Sequence, residues 1–356
     1  MASNAALEYI PIILFPQMND QHLPPEIPTE SHHLPYGYTT GALHFQFEKK
    51  RQQVTVTTVD RLLGLIPMVI LFLIVLFELY AYFYWHLIPL LEKNEGLRLD
   101  FWEGYDQSAW KYIFHLLSII LHAVIFLIST YRTMFTPPGH VPEDLKLEVD
   151  QVHGNKYHVM ISEMLLRKMK KIGNMERKKT LFPRFCRNCL KVKPDRSHHC
   201  SICNTCVLKM DHHCPYINNC VGNDNYKYFM NLVISGTMAS LQLTTTMWEG
   251  VLLAWDNSNY SIPFQVTFGI AYLGNVILSV VLVAFLCFHF YLISNATTTI
   301  EFREKLSVKF DVSPYHKGRW NNFLAIFGKN PLIWFLPIKP RMNSEAMSFL
   351  SSEQEK

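Results

Sequence analysis

The sequence predicts an all-α integral membrane protein: four transmembrane helices with a cytosolic zinc-binding, cysteine-rich domain between helices 2 and 3. Three observations predict it. Four segments are apolar and long enough to cross a bilayer, which takes about 20 mostly apolar residues in a helix. Lys and Arg collect on one side of those segments, and seven of the eight cysteines fall between Cys186 and Cys220. A hydrophobic fraction of 49% with 13% aromatics points to lipid rather than to a large aqueous core. The net charge of +4 is too small to imply a nucleic-acid partner.

Residues 1–60 contain Pro and His and short apolar stretches such as Ile10 to Phe15, but no sustained period, so they read as a loosely ordered cytosolic arm. The first two spans, roughly Leu62 to Tyr84 and Tyr112 to Thr130, form a unit over 61–131. Glu78 falls within the first apolar run, where a charge is costly; an interfacial position near the helix end is expected for it. Thr136-Pro137-Pro138-Gly139 then turns the chain away from the membrane. A basic linker, 132–180, follows. In it Ile161, Met164, Leu165, Met169 and Ile172 recur at helical spacing among Arg167, Lys168, Lys170 and Lys171, as in an amphipathic helix that lies on anionic lipid or on the cysteine-rich module.

The cysteine-rich block occupies 181–228. Spans three and four, roughly Phe229 to Ala254 and Val266 to Ile293, make up 229–293; the third is polar for a span, with Thr237, Ser240, Gln242 and the run Thr244 to Thr246. The tail, 294–356, interleaves Trp320, Phe323, Phe327, Trp334 and Phe335 with Arg319, Lys329 and Lys339, an interfacial pattern, before a disordered end. Lys49, Lys50, Arg51 and Arg61 precede the first span and a dense basic stretch from Arg132 to Lys227 follows the second. The connection between spans one and two holds only Lys93 and Arg98 among five acidic residues. The positive-inside bias puts both termini and the cysteine block in the cytosol. In that reducing compartment a Cys/His cluster binds metal or does chemistry rather than forming disulfides. No cleavable signal peptide is expected at the N-terminus.

The block reads Cys186-x2-Cys189-x9-His199-Cys200-x2-Cys203-x2-Cys206-x4-Asp211-His212-His213-Cys214-x5-Cys220. With His198 it offers eleven Cys and His side chains, where two tetrahedral zinc ions need eight. At least one thiol, and we expect two imidazoles, stay free. So short a run cannot build an apolar core of its own, so metal binding must supply its folding energy. If 211–214 is extended, His212 and Cys214 share a face and His213 points the other way, toward metal. An imidazole beside Cys214 would take its proton or, as imidazolium, favour the thiolate, and Asp211 could orient the ring, given a bend that brings it to His212. The alternative from spacing alone is that Cys214 is a spare zinc ligand and Asp211 a turn residue.

These residues resemble the cysteine-rich domain of the DHHC protein S-acyltransferases (palmitoyltransferases). The resemblance continues through Pro215, Asn219-Cys220-x-Gly222-x2-Asn225-x3-Phe229, then Thr298-Thr299-Ile300-Glu301 after the fourth span, and Gly318-x3-Asn322-Phe323 in the tail. It implies two structural Zn2+ ions, one held by Cys186, Cys189, His199 and Cys206, the other by Cys200, Cys203, His213 and Cys220. It implies Cys214 as nucleophile, His212 as its base, Asp211 as orienting carboxylate, Thr299 as the contact to that carboxylate, and Asn322 as a structural residue bonded near the third helix. The activity implied is protein S-palmitoyl transfer: Cys214 is acylated by palmitoyl-CoA and hands the chain to cytosolic juxtamembrane cysteines of membrane-associated proteins. Fatty acyl-CoA and membrane lipids are the other partners, with no nucleic acid, and the location is an endomembrane, Golgi or endoplasmic reticulum. Lys193, Arg196 and His198 would meet CoA phosphates, or form a solvated basic face. The family's Asp-Pro-Gly is Pro137-Pro138-Gly139 here. Its Trp two residues after the nucleophile, which lies against the start of the acyl chain, is Tyr216. A non-catalytic zinc-stabilised scaffold is the rival reading, and a spare Cys-His pair argues against it. A channel or carrier finds little support in spans with so few charged side chains.

Overall fold

The computed structural model describes residues 43–48, 64–87, 107–153, 156–161, 184–256, 261–305 and 313–339. Helix α1 (Ile66–Tyr80) has Pro67 in its first turn, where a missing N–H loses no bond, and continues as a π-helical segment, Ala81–Leu87. Helices α2 (Gln107–Phe135), α3 (Tyr226–Asp256) and α4 (Ile262–Ser294) follow. Helix α3 packs along both α2 and α4, which makes it central. Beyond α4 come two short helices, α5 (Thr299–Lys305) and α6 (Arg319–Phe327), of which α6 packs back on α3 and α4.

Among the described residues three helices are long and apolar enough to cross a membrane, over Ile66–Tyr84, Ile113–Phe135 and Ile262–Ser294. The third segment expected from sequence falls on α3, which at 31 residues has the length but not the apolarity. Its polar side chains point inward. Ser240 donates to Asn275 Oδ1 at 3.1 Å and lies 2.7 Å from the Ser279 hydroxyl, while Asn275 Nδ2 donates to Thr244 Oγ1 at 2.8 Å. On the opposite side Gln242 accepts from Ser118 at 2.9 Å and donates to the His115 carbonyl at 2.8 Å. Met238, Leu241, Trp248, Leu252 and Trp255 are exposed on this helix, an apolar stripe at helical spacing that the exposed Thr245 interrupts. Glu78 is buried rather than interfacial: a Cβ at Gly274 of α4 would lie 3.5 Å from its Oε1.

The fold is mostly helical, not all-α. Strands β1 (Leu43–Glu48), β2 (Glu148–His153) and β3 (Lys156–Ile161) form an antiparallel sheet in the order β1-β3-β2. So part of the arm expected to be loose is a paired strand, its partner more than 100 residues away in register Leu43↔Ile161. Ile161 ends β3 rather than opening an amphipathic helix; residues 162–183, which hold the rest of that expected helix, lie outside the described residues.

The cysteine-rich stretch makes three minimal hairpins: β4 (Phe185–Cys186) with β5 (Lys191–Val192), β6 (His198–Cys200) with β7 (Thr205–Val207), and β8 (His212–Cys214) with β9 (Asn219–Val221). Their turns hold Leu190, Asn204, Lys209 and Asn218 at positive φ, a conformation that costs of order 1 kcal/mol or more per non-glycine residue. The apolar cluster buried among them is Cys200, Val207, Met210 and Cys220, two of which belong to the metal groups, too few side chains to fold the module unaided. The module is docked on the membrane helices through backbone. Asn219 Nδ2 donates to the Thr133, Met134 and Thr136 carbonyls at 3.0–3.1 Å, and Asn225 Nδ2 to Thr133 O and Cys220 O at 3.3 and 2.8 Å. These amides supply donors that the last turn of α2 lacks within its own helix. Gly222 is required where it sits: a Cβ there would meet Pro138 O at 2.6 Å. The Pro137-Pro138-Gly139 turn makes its contacts with main-chain atoms, Gly139 O accepting from Leu208 N and Pro138 O from Asp224 N, so they need no Asp side chain.

Candidate active site and metal centres

Two groups of side chains converge with one ligand atom each inside 4.8 Å: Cys186, Cys189, His199 and Cys206, and Cys200, Cys203, His213 and Cys220. Each can hold a metal ion. A tetrahedral zinc with Zn–S of about 2.3 Å and Zn–N of about 2.05 Å needs S···N separations of about 3.6 Å and S···S of about 3.8 Å. In the second group His213 Nδ1 lies 3.7, 3.4 and 3.6 Å from the sulfurs of Cys200, Cys203 and Cys220, and Cys203 Sγ lies 3.5 Å from Cys220 Sγ. In the first, His199 Nδ1 lies 3.2 Å from Cys189 Sγ and 3.9 Å from Cys206 Sγ. The N–H groups of Cys189 and Cys203 point at the sulfurs of Cys186 and Cys200, at 3.4 and 3.3 Å, the support a thiolate ligand wants.

Cys214 belongs to neither group. Strand β8 alternates its side chains, so His213 joins the second metal group while His212 and Cys214 share the other face, where the sulfur is near enough to the His212 ring to favour its charged form. Asp211 precedes the strand, after the positive-φ turn at Lys209, and its Oδ2 sits 2.6 Å from His212 Nδ1. The carboxylate is 1% exposed and takes two further bonds, from Thr299 N to Oδ1 at 2.9 Å and from Thr299 Oγ1 to Oδ2 at 2.8 Å. Burial opposes charge on both partners. Burial is the largest single effect, but the mutual hydrogen bond and charge attraction, joined by the Thr299 N–H at Asp211 and the Cys214 sulfur at His212, together outweigh it, holding Asp211 down at about 2 and His212 up at about 10.

Around this line of groups the surface is apolar. Cys214 lies in a buried cluster with Ile217, Val221, Tyr226, Phe229, Met230, Val233, Ile293 and Phe327, against which Tyr216 packs. Phe229 meets His212 edge to face at 5.1 Å, and behind it the buried His289 of α4 pairs through Nδ1 with the Tyr226 hydroxyl at 3.0 Å. Tyr226 and His289 had no role in the sequence reading, since nothing local marks a membrane-helix histidine as a neighbour of a distant hairpin.

Thr298 and Glu301 form a capping box at the start of α5: Glu301 N donates to Thr298 Oγ1 at 3.2 Å and Thr298 N to Glu301 Oε2 at 2.8 Å. This frees the first helical N–H, that of Thr299, for Asp211. The Thr-x-x-Glu spacing was the available signal. Arg196, expected at CoA phosphates, makes a two-pronged ion pair with Glu301 at 2.6 and 2.8 Å, both side chains nearly buried. His198 is buried and Lys193 half-buried. Asn322 donates to the Ser294 carbonyl at 2.8 Å and accepts from Lys317 N, so it ties the tail to the end of α4, not to the third helix.

A sequence profile described as DHHC palmitoyltransferase matches residues 179–306, the stretch that contains all of these groups. Palmitoyltransferase ZDHHC15A of Danio rerio is 30% identical over 289 residues, 78% of this chain and 82% of the relative. The chain belongs to the DHHC palmitoyltransferase family. Probable protein S-acyltransferase 13 of Arabidopsis thaliana is 30% identical over 63% of this chain and 70% of its own length. Palmitoyltransferase ZDHHC20 of Homo sapiens is 28% identical over 78% and 74%. The chain is a protein S-acyltransferase.

Proposed function

We propose that Cys214 is the nucleophile, His212 its base and acid, Asp211 the carboxylate that orients His212, and Thr299 the anchor of Asp211. One observation carries this reading: Cys214 stands outside both metal groups, on the same face of β8 as the His212 that Asp211 holds, within an apolar cluster. In the acylation step the Cys214 sulfur bonds to the thioester carbon of palmitoyl-CoA. The CoA sulfur leaves with the proton held on His212. In the transfer step a substrate cysteine gives its proton back to His212 and takes the acyl carbon, which releases Cys214. Each buried methylene favours binding by about 0.8 kcal/mol, so an apolar site selects long chains. Both metal groups would hold structural Zn2+, each closed by four protein ligands and supplying folding energy rather than Lewis acidity.

Helix α3 is read as a fourth span, on the strength of its length and its apolar outer stripe around an inner polar seam. The division at 61, 132, 181, 229 and 294 rests on the apolar spans and the cysteine block, and the cytosolic side for the termini and zinc domain rests on the Lys and Arg distribution. Substrates would be membrane-associated proteins with juxtamembrane cysteines on that side, at a Golgi or endoplasmic reticulum membrane. Tyr216, packed beside Cys214, would touch the start of the chain, and Lys193 and His198 flank the zinc ligands where CoA phosphates would approach. Incubation of the purified protein with alkyne-tagged palmitoyl-CoA should give an adduct that hydroxylamine removes and Cys214→Ser lacks. An adduct that survives in Cys214→Ser would move the nucleophile elsewhere.

A further inference from the structure

We infer that Arg196 and Glu301 form a positioning latch that sets the catalytic carboxylate, and that Arg196 is not a contact for the CoA phosphates. The inference rests on the reading of Asp211, His212 and Cys214 above and deepens it. Helix α4 closes on a pair of bonds, Thr297 N to Leu292 O and Ala296 N to Ile293 O, with Ala296 at φ 50°. That is a left-handed helix end of the kind usually made by glycine. Its strained residue is held by others: Ala296 O accepts from Arg196 Nη2 and from Ser313 Oγ, both at 3.1 Å. Two residues on, the capping box begins, and Glu301 is shared between Thr298 N–H and the Arg196 fork.

Arg196 therefore touches both sides of the turn that delivers Thr299 to Asp211. Its own backbone belongs to the metal module, where its carbonyl accepts from Met210 N, next to Asp211. Its guanidinium lies 4.5 Å above the Tyr315 ring, which covers the remaining face. Two chain segments about 100 residues apart, one carrying Asp211 and one carrying Thr299, are fixed relative to each other through one planar cation. A lysine keeps the charge but has no fork to grip a carboxylate twice and a carbonyl once. A guanidinium so used, with a side-chain exposure of 11%, has few N–H groups left for a phosphate.

The test pairs Arg196→Lys with Glu301→Gln, since Gln still closes a capping box but offers the guanidinium one neutral acceptor in place of two charged oxygens. Two rates are measured on purified full-length protein: acylation of Cys214 by palmitoyl-CoA, and its alkylation by iodoacetamide, located by peptide mass. Iodoacetamide has no phosphate, so the second rate is blind to CoA binding. A positioning latch slows both rates in both variants by roughly ten-fold, with KM for palmitoyl-CoA unchanged, and the double variant is no slower than either single one. If Arg196→Lys raises KM and leaves alkylation and Glu301→Gln untouched, the latch is overturned and Arg196 binds CoA; two variants that behave as wild type overturn it as well. Bound zinc per chain is read alongside: a loss of zinc in Arg196→Lys with a zinc-replete, fully active Glu301→Gln also overturns it. Wild type that is alkylated with this dependence but never acylated would sink the acyl-transfer roles and leave the latch standing.

Discussion

Asp211→Asn should cost far more than the loss of one charge, because the three donors around the carboxylate dictate how the amide must turn. Oδ1 accepts from the Thr299 backbone N–H at 2.9 Å, a donor that cannot rotate away. The amide oxygen must take that position. The amide nitrogen then occupies the Oδ2 site, 2.6 Å from His212 Nδ1 and 2.8 Å from Thr299 Oγ1. The threonine hydroxyl can rotate and become an acceptor, but an Nδ1–H facing N–H cannot, so the ring is driven to the tautomer protonated on Nε2. It then turns a donor toward Cys214 where a base is needed. In the Ser-His-Asp hydrolases the same wrong tautomer lowers kcat by about ten-thousand-fold, and a loss of that order is expected for single-turnover acylation of Cys214. Asp211 supplies no atom to either metal group, so bound zinc should not change. The assay is quench-flow acylation with alkyne-tagged palmitoyl-CoA, normalised to zinc content. A zinc-replete Asp211→Asn that acylates within about ten-fold of wild type would refute the tautomer argument.

Thr299→Val removes one of three bonds to a buried carboxylate, worth about 1.5–3 kcal/mol for a charged acceptor, so acylation should slow by at least ten-fold while Thr299→Ser stays near wild type; equal rates for Val and Ser would count against the hydroxyl. Stripping metal with a chelator should open the hairpins between Phe185 and Val221, read as rapid proteolysis there with the α2–α3–α4 packing still protected. Persisting protection of the hairpins would show that they fold without metal. Asn219→Ala leaves the Thr133, Met134 and Thr136 carbonyls without that donor and should lower stability by about 1–3 kcal/mol, measured by thermal unfolding in detergent. Asn275→Leu removes the amide that bridges Ser240 and Thr244 between α3 and α4 and leaves them only Ser279 across the seam, for an expected cost of about 0.5–2 kcal/mol; an unchanged melting temperature would mean the amide adds nothing net.

What could be read ahead of the coordinates followed from short-range rules. Period and length gave α1, α2 and α4, and alternation in 212–214 separated His213 from His212 and Cys214, because each depends on residues a few positions apart. What could not be read depends on distant partners. Strand β1 had no visible period worth trusting, since its pairing with β3 comes from residues more than 100 positions away. Helix α3 looked doubtful because its polar residues were counted without knowing that Asn275, Ser279, Ser118 and His115 would meet them. Arg196 looked like an anion binder for the same reason: a guanidinium in a basic loop advertises its charge, while its carboxylate partner lies on the far side of two long helices in sequence.

The mechanical consequence is that the thiol is held from two directions at once. From one side β9 hangs on the end of α2 through Asn219, and β8, paired to it in the register Cys214↔Asn219, carries Cys214, the proposed nucleophile, directly opposite that anchor. From the other side Asp211 is fastened to the start of α5 just past the end of α4, so His212, the proposed base, is referred to a different helix from Cys214. A flexible hairpin between two such anchors would let the imidazole and the sulfur drift apart, and a misplacement of about 1 Å can cost a hundred-fold in rate. Holding the four residues 211–214 rigid therefore falls to His213 and Cys220, cross-strand partners that both belong to the same metal group. An ion held there would be adjacent in the chain to His212 and Cys214 and would set the distance between the proposed base and nucleophile without taking part in the transfer.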